Sequence, residues 1–308
     1  MSAASLASAA AELGGGLLLA PLLPGLVQHW KARLQGRRGP SPLQPYRELR
    51  RLWGKSAVDP AGSGFVYRWA PAVVASSAAA AVLLVPVAAR APELGVGRDM
   101  LVLAGLLALA RFAVAAASWD VANGFTLMGA SRDLTIAVST EATLVLALAV
   151  GALVAGTTSL TGMVAGTAGP AVWSNPALAL GAVSFALVIV AETGRQPIDN
   201  PDTHLELTMI HKGPLLEYAG RDLAYLQWAA AVRHWLVLVL AAQIFVLHAH
   251  SVWVQLAVLP VVLVVLCGAL ALTETLTAKM RILLAPRLLA LGGIAALLGV
   301  ATWLVQLT

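Results

Sequence analysis

The chain has 308 residues, 59% of them hydrophobic and 11% charged, with a mean hydropathy of +0.82 and a net charge of +5. A soluble domain of this length carries roughly twice that charge fraction, so the composition excludes one and indicates an all-α, polytopic membrane protein. The apolar runs are long and unbroken and lack the alternation of barrel strands. The single cysteine, Cys267, excludes an internal disulfide and a four-cysteine iron–sulfur cluster. No CxxCH occurs, which excludes a covalent haem. Any electron chemistry belongs to a partner.

Apolar spans of about 20 residues are the expected unit, and eight are expected within one embedded bundle covering residues 1–308. The first is expected from Ala9 to Gln28. Gly14, Gly15, Gly16, Pro21 and Pro24 predict a kink or close packing there. No basic residue precedes it, so it reads as a retained helix and not a cleaved signal. A basic, turn-rich loop at about 29–65 follows, carrying Arg33, Arg37, Arg38, Gln44, Tyr46 and Arg47 and a short amphipathic helix from Glu48 to Trp53. Such a segment suits lipid headgroups or a docked peripheral subunit. The second and third spans are expected at 67–89 and 100–118, then an amphipathic piece from Trp119 to Ser131 and a fourth span at 134–155. The fifth is expected at 176–190 and opens into a long loop at about 192–228. The last three are expected at 229–247, 252–272 and 288–305.

Lys and Arg crowd the loops on one side, and Arg90 and Arg98 stand alone on the other. The positive-inside rule makes the crowded side cytoplasmic, with both termini outside, in a cytoplasmic (inner) membrane. The net charge is thus a topology signal and does not indicate a nucleic-acid partner. No internal repeat, P-loop, GxGxxG, HExxH or GxSxG occurs.

Carboxylates in such a chain are costly and therefore informative. Glu141 lies in the fourth span, with Arg111 of the third as its expected partner. Glu192 ends the fifth span. Arg195 and Asp199 follow, with Pro197 forcing a turn. Asn200-Pro201-Asp202 has the form of a helix start, stopped later by Gly213-Pro214. On that helix Asp202 and Glu206 share a face, and His204, Thr208 and His211 share another. Clustered acids raise one another's pKa and can hold protons near neutral pH. The histidine spacing matches no strong metal motif, so no metal is expected. His204 and His211 read as loop or interface contacts. Glu274 is expected to pair with Lys279 or Arg281 nearby in sequence.

Two stretches carry a resemblance. The first loop reads R-x-Q-x-R-x-G-P-x-x-x-Q-x-Y-R from Arg33 to Arg47, and the second reads A-E-T-G-x-x-P-x-D-N-P from Ala191 to Pro201. Together they resemble the membrane subunit shared by respiratory complex I and the energy-converting NiFe-hydrogenases. Thr203 to His211 is similar to the hydrogenase branch, that of formate hydrogenlyase and hydrogenase-4. Ile198 replaces the usual Phe, and Lys212 stands where that branch tends to have Glu. The resemblance covers essentially the whole chain.

It implies a subunit that anchors a peripheral arm and joins it to antiporter-like membrane subunits. NiFe and iron–sulfur groups would lie on the large and small partner subunits, with no cofactor on this chain. Glu141, Glu192, Asp199, Asp202, Glu206 and Glu217 match an acidic proton path, with Arg111 and Arg195 beside it. Arg33, Arg37, Arg38, Gln44, Tyr46, Arg47, His204 and His211 fall on the implied docking side. In the complex I alternative this membrane subunit would line a quinone chamber. A stand-alone ion transporter would leave both loop motifs unexplained.

Overall fold

The computed structural model describes residues 9–88, 98–169, 174–200, 209–247 and 251–307. Among these the structure is helical, with one isolated bridge between Asp99 and Ser159. Six helices are long and apolar enough to cross a membrane. A seventh span is a bent pair, α1 (Ala9–Leu19) and α2 (Leu22–Leu34), which meet at 56°. The expected fifth span, α8 (Pro176–Glu192), is an apolar helix of only 17 residues, about 26 Å at the usual rise.

The bend has a local cause. Pro24 lacks a backbone N–H and its ring disfavours a straight helix through residue 20, and residues Gly14–Leu19 wind as a π-helix. Two carbonyls at the break find donors elsewhere. The Trp228 indole N–H donates to Leu17 at 3.0 Å, and the Tyr46 hydroxyl donates to Leu18 at 2.7 Å. Tyr46 belongs to the amphipathic α3 (Gln44–Trp53), whose Leu49 and Leu52 are buried while Arg47, Arg50 and Arg51 are exposed.

Then come α4 (Phe65–Leu84), α5 (Met100–Val121), α6 (Gly124–Ala155) and the short α7 (Leu160–Gly166). The expected amphipathic piece between Trp119 and Ser131 does not exist as a separate element. Its first residues finish α5 and the rest begin the 32-residue α6. Ala122 turns left-handed (φ 55°), and the Asn123 side chain then accepts from the Phe125 N–H, so the chain reverses in two residues. The chain ends with α9 (Gly220–Ala241), α10 (Val252–Leu276) and α11 (Ala285–Leu307). α9 begins nine residues before the expected sixth span and runs on as a π-helix over Ala242–Val246. Arg221, expected in a loop, is therefore helical.

In the bundle α4 packs on α5 and α9, α5 on α6, and α6 and α8 on α11, while α10 lies along α2. Leu103, Leu144, Leu148, Phe185 and Leu236 fill the core. Gly129 lets α6 approach the turn at Gly213–Leu215. A Cβ there would come within 2.7 Å of the Gly213 backbone. The ends of α2, α5, α8 and α10 and the starts of α4, α6, α9 and α11 thus gather on the side that holds α3.

At the opposite side Arg98 makes two hydrogen bonds to Glu12, at 3.1 and 2.9 Å, with both side chains buried. This pair was not anticipated. Its signal was available, because Glu12 is the sole charged residue before Lys31.

Candidate functional site

Three groups of charged side chains converge where α8 ends. In the first, α5 supplies Arg111, α6 Glu141, α8 Glu192 and α9 Arg233. Arg111 Nη2 lies 2.7 Å from Glu192 Oε2, and Arg111 Nη1 lies 4.0 Å from Glu141 Oε1. Arg233 Nε lies 3.9 Å from the same oxygen of Glu192. Arg111 therefore sits closest to Glu192, and the expected Glu141 contact is the longer one. Arg111 and Glu192 are buried, while the Glu141 side chain is 29% exposed.

Two cations and two carboxylates balance within an apolar bundle, as buried charges must. The Arg111–Glu192 pair at 2.7 Å is the short contact of this group, and the other two pairings are looser.

Past Glu192 the chain turns sharply. Gly194 is left-handed (φ 60°), and a Cβ on it would meet the His211 ring at 3.1 Å. The turn sends Arg195 inward to the second group. Its Nη1 donates to Glu274 Oε2 at 3.1 Å, and Lys31 Nζ approaches that oxygen at 3.7 Å. All three residues are buried. Glu274 thus joins α2, α10 and the loop after α8. Pairing of Glu274 with Lys279 or Arg281 does not occur. The C-terminal end of α10 points its carboxylate into the bundle, and the chain leaves the helix at Thr277 before either cation.

Lys279 belongs instead to the third group, around Asp199. Its Nζ donates to Asp199 Oδ1 at 2.9 Å, and the Asn200 N–H donates to the same oxygen at 2.8 Å. The other oxygen, Oδ2, accepts the His211 backbone N–H at 3.2 Å and lies 3.1 Å from His211 Nδ1. His211 Nε2 stands 3.7 Å from Asp133 of α6. Burial would raise the Asp199 carboxyl, but the hydrogen bonds and charges of His211 and Lys279 outweigh it and hold the group well below the usual carboxylate range. Burial would lower the His211 imidazole. The bond to Asp199 and the charges of Asp133 and Asp199 outweigh that and raise it, against a smaller push from Arg111.

The groups are linked. Arg111 is close enough to feel Asp133 and His211 as well as Glu192. The main chain between Arg195 and Asp199 joins the second group to the third. The Met280 N–H donates to the Pro197 carbonyl at 2.9 Å across a cis Gln196–Pro197 bond, and Ile198 is fully buried between them.

Not every candidate residue joins this assembly. Asp202, His204 and Glu206 lie outside the described residues. Glu217 stands apart, its backbone carbonyl accepting from the Tyr67 hydroxyl at 2.8 Å. Tyr67 and Tyr218 stack there at 4.3 Å. Arg33, Arg37, Arg38, Gln44 and Arg47 are exposed. Tyr46 is half-buried and donates to the Leu18 carbonyl, and His211 is half-buried between Asp199 and Asp133. Four residues of the site went unread. Asp133 hid in a short polar run, Arg233 counted only toward the charge bias at the start of the expected sixth span, and Lys31 and Lys279 find partners far away in sequence. Among the described residues no group of three or more His, Cys, Asp or Glu side chains could hold a metal.

The sequence profile of the family described as NADH dehydrogenase matches residues 12–304. Formate hydrogenlyase subunit 4 of Escherichia coli (strain K12) is 35% identical over 282 residues, 88% of this chain and 89% of that protein. Hydrogenase-4 component C of the same organism is 34% identical over 301 residues, 94% of this chain and 93% of that protein. An NADH-quinone oxidoreductase subunit of Solibacter usitatus (strain Ellin6076) is 31% identical over 183 residues, 58% of this chain and 46% of that protein. Among solved structures, a chain of the membrane-bound sulfane sulfur reductase, an archaeal respiratory membrane complex, superimposes with a TM-score of 0.83. The match covers 97% of this chain and 99% of that one at 21% identity, a likeness of fold alone.

Proposed function

This chain belongs to the NADH dehydrogenase family, and we propose that it is the membrane subunit that anchors and couples a hydrogenase complex of the formate hydrogenlyase or hydrogenase-4 kind. The exposed basic loop with α3 receives the peripheral arm on the cytoplasmic side. That arm consists of a NiFe-bearing large subunit and an iron–sulfur small subunit, and antiporter-like membrane subunits lie alongside. This chain holds no redox group.

The observation that carries the reading is the continuity of charge from the loop surface to the membrane interior. His211, Asp133 and Asp199 lie at the neck of the α8–α9 loop, Arg111 pairs with Glu192 and Glu141 within the bundle, and the charge of Arg111 acts on Asp133 and His211 as well. Charge at such depth is costly and is retained where ions or protons move. Electron transfer in the docked arm alters the proton occupancy of the neck. Buried carboxylates pass that change inward toward proton, or sodium, translocation.

Mild detergent extraction through a tag on this chain, followed by mass spectrometry, tests the assignment. A co-purifying large subunit with paired CxxC nickel ligands is expected. A flavin-bearing, NADH-oxidising subunit, or this chain alone and stable, contradicts it.

A further inference from the structure

The two described ends of the α8–α9 connection meet at Asp199 and His211. Asp199 and His211, twelve residues apart, hold each other through a backbone and a ring contact on a single carboxylate oxygen. The other ring nitrogen reaches Asp133 on α6. The ring therefore lies between two carboxylates from different elements, and it covers the left-handed turn at Gly194. A neutral imidazole can donate from one nitrogen only, whereas an imidazolium donates from both.

We propose that His211 is a positioning residue that clamps the neck of this connection onto α6 when it carries its second proton and releases it from Asp133 when it does not. This deepens the coupling reading above and rests on it, since it assigns the proton-sensitive joint of that site to one side chain. The charged groups that face the ring are Asp199 from its own connection, Asp133 from α6, Arg111 from α5 and, across Asp199, Lys279 from the segment after α10. Arg132, next to Asp133, donates to the Met209 carbonyl at 3.4 Å and supports the same neck.

The sign follows from linkage. The clamp raises the imidazole pKa, so its contribution is complete below the ordinary histidine value and is lost as pH rises through the raised one. Asp199 is held low and stays ionised throughout this window, losing its own contribution only under strong acid. Loosening on the alkaline side is therefore a property of His211. Its extent is about tenfold for each pKa unit by which the clamp raises the ring.

The test is hydrogen–deuterium exchange on the purified complex in lipid nanodiscs, from about pH 6 to about pH 9, corrected for intrinsic exchange. Protection of residues 193–200 and 209–215 is expected to fall in one step above neutral pH, while α6 and α9 stay protected. His211→Gln is expected to abolish the step, and Asp133→Asn to move it to lower pH. If His211→Gln does not assemble, Asp133→Asn alone decides. A wild-type profile without a step, a step that persists in His211→Gln, or one unmoved in Asp133→Asn overturns the proposal. The readout needs no turnover, so failure of the clamp is distinct from failure of coupling, which is read in transport.

Discussion

Arg111→Met is expected to destabilise the folded chain by about 3–5 kcal/mol, the usual cost of stranding a buried charge. The guanidinium lies between Glu192 at 2.7 Å and Glu141 at 4.0 Å. Without it, Arg233 at 3.9 Å is the one cation left in contact with Glu192 among the described residues. Folded proteins hold about 5–15 kcal/mol in reserve, so such a loss shows as poor accumulation and a lower Tm in detergent. The double variant Arg111→Met with Glu192→Gln is expected to recover most of it, because both charges are then gone and the volume is kept. Thermal unfolding of the two variants beside wild type checks this. A single variant as stable as wild type would mean that the four-helix charge group is open to bulk water.

Glu274→Ala is expected to cost a similar amount, about 3–5 kcal/mol, and its effect spreads further along the chain. This one carboxylate faces both Arg195 and Lys31. Removing it leaves two buried cations side by side, from the α8 loop and from α2. The contacts that attach the turn at residues 193–199 to α10 loosen with it. Glu274→Gln keeps the volume and a hydrogen-bond acceptor and is expected to fall between Ala and wild type. Limited proteolysis of the α8–α9 connection, with Tm, reads both. Equal values for Ala and wild type would mean that Arg195 is held by its backbone alone.

The sequence disclosed the depth of the charges better than their partners. Glu192, Arg195 and Asp199 stood out because an apolar chain tolerates few such residues, and the helix that leads to them was visible in its composition. Pairing failed where sequence neighbours were assumed to be spatial ones. Lys279 reaches back 80 residues to Asp199, and Arg195 reaches forward 79 to Glu274. Helix ends collect on one side of a bundle, and packing decides which of them touch.

The same physics explains the missing amphipathic piece. Asn123 caps α6 early, so Arg132 and Asp133 stand on a spanning helix and find partners in the α8–α9 connection. A polar run that looked suited to the membrane surface is thus the first turns of a crossing. The bend of α1 and α2 was legible from its glycines and prolines. The donors that satisfy it, Tyr46 and Trp228, were not, because they come from α3 and α9.

In the proposed function, Glu192 carries the coupling between redox chemistry outside the membrane and ion movement within it. Hydrogen-linked proton movement in inverted membrane vesicles, compared between wild type and Glu192→Gln, reads that role. Electron transfer to an artificial carrier and co-purification of the partners serve as controls for assembly. Gln keeps the shape of Glu192 and leaves Arg111 beside Glu141. The expected result is an assembled complex that still transfers electrons to the carrier but forms no proton gradient. A gradient equal to that of wild type would contradict the coupling role and would reduce the buried charges around Glu192 to a structural one.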